Sequence, residues 1–358
     1  MAPPDSFLAD NPSAVLMRPR DLQLKDMPLA ATPAHGHVRI AMKAVGICGS
    51  DLHYFHHGRI GNFIASQPIV LGHEGAGQVV QVGGGVTAFS MGDRVALEPG
   101  VPCWHSRLAR EGRYNLDEGL VFAATPPHHG MLASYFDHPA EWCYRLPDNV
   151  SDEQGALCEP LSVGIHACRR AQISLGAKVA VLGAGPIGLV TMAAARAFGA
   201  MRIVCTDLKP VNLHMAAKWA DRTLQVDRMD SPLQTAQRLQ EALGCKPDIV
   251  IDACGFESSM QTALLSCASG GRVVLVGMGQ SAMQLELSDI ISREVDIIGS
   301  FRYCNTYSLA LELMASGRID VQSLVTHRFG WSAEELASGF KSASQPDAVK
   351  VMFRGLAN

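Results

Sequence analysis

The stretch from Lys178 to Phe198 constrains the fold of this chain more than any other. A short apolar run, Lys178-Val179-Ala180-Val181-Leu182, passes without interruption into Gly183-Ala184-Gly185-Pro186-Ile187-Gly188 and then into a helix-like segment, Leu189 to Phe198. A buried strand, a glycine turn and a helix in that order open a doubly wound parallel sheet. Gly183 permits the tight turn, Gly185 lets a pyrophosphate approach the backbone, and Gly188 lets the helix pack on the strand while its N-terminus, at Pro186 and Ile187, faces the anion. Glycines alone are weak evidence, but a second strand, Arg202-Ile203-Val204-Cys205-Thr206, ends in Asp207. That is close to the offset at which a carboxylate holds the ribose 2′-hydroxyl. The same carboxylate repels a 2′-phosphate and no arginine follows at once, so NAD is expected rather than NADP.

The rest of such a sheet is readable downstream. Asp248 to Cys254 and Gly271 to Gly277 are apolar runs bounded by turn residues, and Val295 to Ser300 is a further strand. They read as buried parallel strands with helices between them, at Pro232 to Leu243 and Ser259 to Cys267. Upstream the pattern changes to the alternating stretches Val38 to Ala44, Gly75 to Val82 and Arg94 to Glu98, separated by turns such as Gly83-Gly84-Gly85. That is a mostly-β region whose loops carry ligands. A chain of 358 residues exceeds a usual single core, so two domains are expected. The fold class is α/β: a mostly-β catalytic domain at 1–161, a cofactor domain at 162–299, and a return to the first domain at 300–358, with the active cleft between the two.

The mostly-β region also carries a candidate metal site. Cys48, in Gly46-Ile47-Cys48-Gly49-Ser50-Asp51-Leu52-His53-Tyr54, and His73 and Glu74, in Gly72-His73-Glu74, offer a thiolate, an imidazole and a carboxylate. A catalytic zinc takes three such ligands and keeps one position for water or substrate. Glu159, in Cys158-Glu159-Pro160-Leu161-Ser162, either closes the shell or holds the bound water. Asp51 suits the carboxylate that commonly orients a metal-bound imidazole. Ser50 and His53, on one turn, suit a relay that carries a substrate hydroxyl proton to solvent.

Composition sets outer bounds. A formal charge of −4 with interspersed acids and bases gives no basic footprint for nucleic acid or an anionic membrane. The most apolar uncharged run, Val179 to Ala195, is interrupted by glycines and a proline. The expected protein is soluble and cytoplasmic, with a small-molecule partner. Ten cysteines without regular spacing fit reduced thiols better than a bridged framework. The pairs His56-His57 and His128-His129 are expected on surface loops.

These residues carry a resemblance. The chain is similar to the zinc-dependent medium-chain dehydrogenases, and among them to the sorbitol and xylitol dehydrogenases, especially the plant type. The likeness runs over nearly the whole chain, through Lys43 to Tyr54, Gly72 to Gly75, Gly112 to Asn115, Ala124 to Pro127, Glu159 to Arg170, Val276-Gly277-Met278, Phe301-Arg302-Tyr303 and Thr326 to Gly330. It implies a GroES-like catalytic domain with a Rossmann cofactor domain, and a homotetramer or homodimer. It implies that Cys48, His73 and Glu74 bind zinc and that Glu159 holds its water or substrate. Tyr54, Glu159, Arg302 and Tyr303 would contact a polyol. Ile187, Asp207, Val276, Gly277, Met278, Ser300, Phe301 and Arg302 would line the NAD site. The implied reaction is oxidation of a polyol to a ketose, with L-idonate 5-dehydrogenase, acting on a sugar acid, as the nearest alternative.

The chain departs from that family in two places. Many relatives carry a lobe with four cysteines, C-x2-C-x2-C-x7-C, that binds a structural zinc, and Cys103, Ser106, Ala109 and Asp117 stand there instead. Two candidate ligands are too few for a closed tetrahedral site, so one catalytic zinc and no structural zinc are expected. Asn212 stands where animal relatives place an arginine beside the adenosine ribose.

Overall fold

The strand His37–Gly46 is the axis of the N-terminal architecture. Its apolar residues are almost all buried, as expected of a strand covered on both faces. The computed structural model describes residues 10–280 and 282–357. His37–Gly46 is the fourth strand of a sheet ordered Cys143–Arg145, Arg94–Leu97, Glu74–Val82, His37–Gly46, Lys350–Arg354 and Val325–Phe329, and Tyr135–Pro139 also pairs with it. Pairing is antiparallel except between the last two strands. Ile40, Met42, Leu71, Leu97, Met131 and Phe353 fill the core beneath, each contributing roughly 1.5–3 kcal/mol by burial.

The register of this sheet assembles the candidate metal site. Gly46 lies opposite Glu74 on one side and Met352 on the other. Two segments separated by 28 residues in sequence, together with a strand from the far end of the chain, therefore meet at one point.

The second architecture is a six-stranded parallel sheet in the order Arg222–Gln225, Arg202–Asp207, Lys178–Leu182, Ile249–Asp252, Arg272–Leu275, Asp296–Gly299. The order reverses beside Lys178–Leu182, the switch point at which open α/β sheets bind ligands. Helix Pro186–Ala197 starts directly after that strand, with Pro at its first turn and a fixed φ already suited to helix. Helix Pro232–Leu243 spans the residues read from the sequence; it is closed at its start by a Ser231–Gln234 capping box and at its end by Gly244.

Chain contacts define two units. One holds Met1–Glu159, Tyr307–Ala315 and Val321–Asn358; the other holds Pro160–Thr306 and Ser316–Asp320. Among the described residues no helix is long and apolar enough to cross a membrane, and the ten cysteines are all free. One local expectation fails: His56 and His57 are the last two residues of helix Gly49–His57, not part of a loop. The helix persists until Gly58 turns left-handed at φ 69°, and imidazoles in a last turn suit the negative end of the helix dipole.

Candidate metal and cofactor sites

Cys48 is the N-cap of helix Gly49–His57. Its sulfur and the ligand atoms of His73 and Glu74 all lie within 4.8 Å of one another. Gly46 makes this possible, because a Cβ there would collide with the Glu74 carboxylate.

Asp51 ties the two ligand segments together. It is 1 % exposed; Oδ2 accepts the Cys48 N–H at 3.0 Å and Oδ1 accepts the Gly72 N–H at 2.9 Å. The same Oδ1 lies 3.8 Å from His73 Nδ1, leaving Nε2 for a metal. Burial alone would lower the affinity of His73 for a proton. The negative charges of Asp51, then Cys48 and Glu159, outweigh it and raise the pKa to about 10. A pocket that draws a proton this strongly onto an imidazole is anion-rich, and a divalent cation suits it.

Glu159 lies in the first turn of helix Cys158–Ala171 and is buried. Ser50 is partly buried and His53 exposed on the helix that Cys48 caps, while Tyr54 is buried. The structure thus brings Cys48, Ser50, Asp51, His53, Tyr54, His73, Glu74 and Glu159 into one unit.

Lys350 was not read from the sequence. It is 2 % exposed, and its Nζ donates to Glu74 Oε1 at 2.6 Å, Glu74 Oε2 at 2.7 Å and the Ile47 carbonyl at 3.1 Å. Burial would lower its proton affinity, but the Glu74 charge overrides it and holds the ammonium charged. The available signal was a lone lysine within the strand-like run Val349-Lys350-Val351-Met352-Phe353. Glu98 was also missed as a buried group. It accepts the Tyr114 hydroxyl at 2.6 Å and the Tyr144 hydroxyl at 2.8 Å. Burial lifts its carboxyl to about 7 against the pull of both tyrosines.

In the other unit the proposed cofactor residues stand at the C-terminal ends of parallel strands. Gly188 packs so tightly that a Cβ would strike the Gly183 carbonyl, whereas at Gly185 a Cβ meets nothing within 4 Å. That open face at the helix N-terminus is what a pyrophosphate requires. Asp207 accepts the Ala184 N–H at 2.7 Å and the Lys209 N–H at 2.8 Å, and Asn212 Nδ2 donates to it at 3.2 Å. Val276, Gly277 and Met278 follow the strand Arg272–Leu275, and Ser300 follows Asp296–Gly299 with its hydroxyl buried and unpartnered. Next to it, Arg302 holds a left-handed φ of 49° and its guanidinium covers the Phe301 ring at 4.9 Å. Tyr303 is buried. Non-glycine residues rarely adopt that backbone conformation, and those that do concentrate at functional sites.

The lobe that keeps a single cysteine, Cys103, is organised by Asp117. Its carboxylate accepts the Cys103 N–H at 2.8 Å, the Cys103 thiol at 3.5 Å and the Gly119 N–H at 3.3 Å. Desolvation would raise this carboxyl, but those hydrogen bonds, with one from Ser106, hold it below the usual range. Trp104 stacks on Trp142 at 6.0 Å between ring centroids, and Tyr114 meets Trp142 edge-on at 5.0 Å.

A parallel nucleotide-type sheet, joined in one chain to a Cys-His-Glu site, defines the class of zinc-dependent oxidoreductases. Residues 34–148 match the alcohol dehydrogenase GroES-like domain, and residues 186–316 match the zinc-binding dehydrogenase domain. The chain is 48 % identical over 347 residues to the sorbitol dehydrogenase of Arabidopsis thaliana, covering 96 % of this chain and 95 % of that one. Among solved structures, an Escherichia coli oxidoreductase of unknown specificity superposes with a TM-score of 0.89 at 36 % identity, covering 97 % of this chain and 99 % of that one. The L-idonate 5-dehydrogenase of Escherichia coli superposes at 0.87 with 27 % identity, covering 98 % of this chain and all (100 %) of the other. The chain belongs to the zinc-dependent medium-chain dehydrogenases and groups there with the sorbitol dehydrogenases.

Proposed function

We propose that this protein oxidises a polyol of the sorbitol or xylitol type to the ketose, with hydride transfer to NAD. The observation that carries the reading is the convergence of Cys48, His73 and Glu74 within 4.8 Å. The near-half identity to a sorbitol dehydrogenase supports the substrate class.

Each chain would hold one zinc, on Cys48, His73 and Glu74, with Glu159 as a fourth ligand or as the holder of the water or substrate oxygen. When bound, the metal acidifies an oxygen it holds, from about 15.7 to about 7 for water, which at roughly 1.4 kcal/mol per unit is on the order of 12 kcal/mol. Asp51, whose Oδ1 lies 3.8 Å from His73 Nδ1, would bias the imidazole towards offering Nε2 to the metal. The substrate hydroxyl gives its proton to Ser50 and then to His53, which is exposed and can pass it to solvent. NAD, held by the residues around Gly183, Gly185, Gly188 and Asp207, would accept the carbinol hydrogen with the electron pair of its C–H bond, so that the products would be ketose, NADH and one proton. Tyr54, Glu159, Arg302 and Tyr303 would hydrogen-bond the remaining hydroxyls. Such pairing discriminates against simple alcohols, because a substrate lacking those groups leaves buried polar atoms unmatched.

The Asp207 carboxylate, held by Asn212 at 3.2 Å, would favour NAD over NADP by charge. In place of a structural zinc, the lobe around Asp117 relies on hydrogen bonds. We further propose a cytoplasmic homodimer or homotetramer, the common closed-symmetry solution for soluble enzymes.

The test is NADH formation by the purified protein on sorbitol, xylitol and L-idonate at matched concentrations. Turnover of the polyols with little on L-idonate is expected. The reverse ranking would replace the polyol by a sugar acid.

A further inference from the structure

The buried ion pair beside the metal ligands has a role that the reaction does not require. Lys350 Nζ spends its three N–H donors on both oxygens of Glu74 and on the Ile47 carbonyl. Both charged side chains are almost wholly removed from solvent, at 2 % and 1 %. A carboxylate that offers both oxygens to an ammonium cannot offer one to a metal without sharing it. The two cations therefore draw on the same acceptor, and each also repels the other across a few ångströms of poorly screened interior.

We infer that Lys350 is a resident counter-charge for Glu74: it keeps the protein folded when zinc is removed and weakens zinc binding when zinc is present. The inference rests on the reading of Cys48, His73 and Glu74 as the ligand set. The register supports a dedicated role. Lys350 lies two residues before Met352, which pairs with Gly46, and the Val351 carbonyl accepts the Ile47 N–H at 2.9 Å. The ammonium is thus fixed by the same sheet that fixes the carboxylate. Its whole length is buried among strands, so solvent contact gives no reason for a lysine here. If Glu74 served only as a ligand, an apolar residue in this strand would spare the metal that repulsion; the lysine instead keeps Glu74 from standing as an uncompensated buried charge when the metal is absent.

The test compares wild type, Lys350→Met and Lys350→Arg, each stripped with chelator and reloaded with zinc. Zinc affinity is read by competition with a chromogenic chelator, and melting temperature by calorimetry. K350M is expected to bind zinc at least about tenfold more tightly, because one positive charge beside the site is gone. Stripped K350M is expected to melt well below stripped wild type, while the zinc-loaded proteins converge. K350R is expected to follow wild type in both. Should stripped K350M fail to fold, the double variant K350M/E74Q carries the stability arm. Lacking both charges, it recovers melting towards wild type if the pair is the reason for the loss. Equal or weaker zinc binding by K350M, with stripped and loaded forms losing stability alike, would overturn the inference and leave Lys350 a packing residue. Zinc uptake by wild type that C48A abolishes tests the ligand set separately from this ranking.

Discussion

Two loops of the same unit gather acidic and thiol side chains, one at Cys48, His73 and Glu74 and one at Cys103 and Asp117, and this chain treats them in opposite ways. Around Cys48 the acidic groups outnumber the basic ones: the Cys48 sulfur and the carboxylates of Asp51, Glu74 and Glu159 crowd one imidazole and one ammonium. Around Asp117 the reverse holds, since a single carboxylate is met by two backbone N–H groups and a thiol. The first arrangement has a surplus of charge that calls for a cation. The second is already balanced, and Ala109, fully buried, offers no donor atom at all. The contrast shows how one carboxylate can organise a loop by itself: Asp117 gathers the nearby donors and ties the loop together.

The comparison breaks first at Cys48. Cys48→Ala is expected to lose bound zinc and polyol oxidation together, by metal analysis and NADH formation, while NADH binding measured by fluorescence persists. Retention of zinc in that variant would place the metal elsewhere. Asp51→Asn comes next. It puts an amide N–H against one of two backbone donors, and a zinc affinity lower by roughly 10–100-fold is expected, the usual cost of disturbing a ligand's orienting partner.

At the lobe the effect is smaller and of another kind. Asp117→Ala removes the acceptor of several hydrogen bonds and is expected to cost about 1–3 kcal/mol in urea unfolding, with zinc content unchanged. A fall in zinc content would mean that the two loops are not as different as their chemistry indicates.

The effect that shows only as a pH slope lies at Glu98, which accepts the Tyr114 hydroxyl. Its carboxyl sits at about 7 when folded against an ordinary 4.5. Between those values the folded protein keeps a proton that the unfolded chain releases, so this group's contribution to stability declines as pH rises through the window and levels off above it. His138, whose Nε2 lies 2.8 Å from the Glu98 carbonyl, works in the other direction. Burial lowers it from 6.5 to about 4, so its contribution is present above about pH 6.5 and is lost as pH falls towards 4. Glu98→Gln is expected to abolish the first slope and leave the second, as read from urea midpoints at about pH 5 and about pH 8.

Much of this was legible before any coordinates. The glycine turn announced the parallel sheet because few other folds need a strand, three spaced glycines and a helix in immediate succession. Cys48, His73 and Glu74 were legible because their residue types are scarce and their neighbours glycine-rich. Lys350 was not, since it lies 276 residues from Glu74 and only the pairing of Gly46 with strands on both sides brings them together. Glu98 escaped for a similar reason: in sequence it ends an alternating strand, and only tertiary packing sets two tyrosines over it. The helical position of His56 and His57 was hidden because their helix stops on a glycine rather than on a change of hydrophobic pattern.

The Lys350–Glu74 contact also has a meaning for biosynthesis. Glu74 leaves the ribosome long before the ammonium that neutralises it. Until residue 350 is made, the N-terminal sheet can close only by burying an unmatched carboxylate, by protonating it, or by capturing a metal ion early. Completion of the site is therefore tied to completion of the strand Lys350–Arg354, and a chain cut short before it would keep its ligands yet lack the charge that balances them.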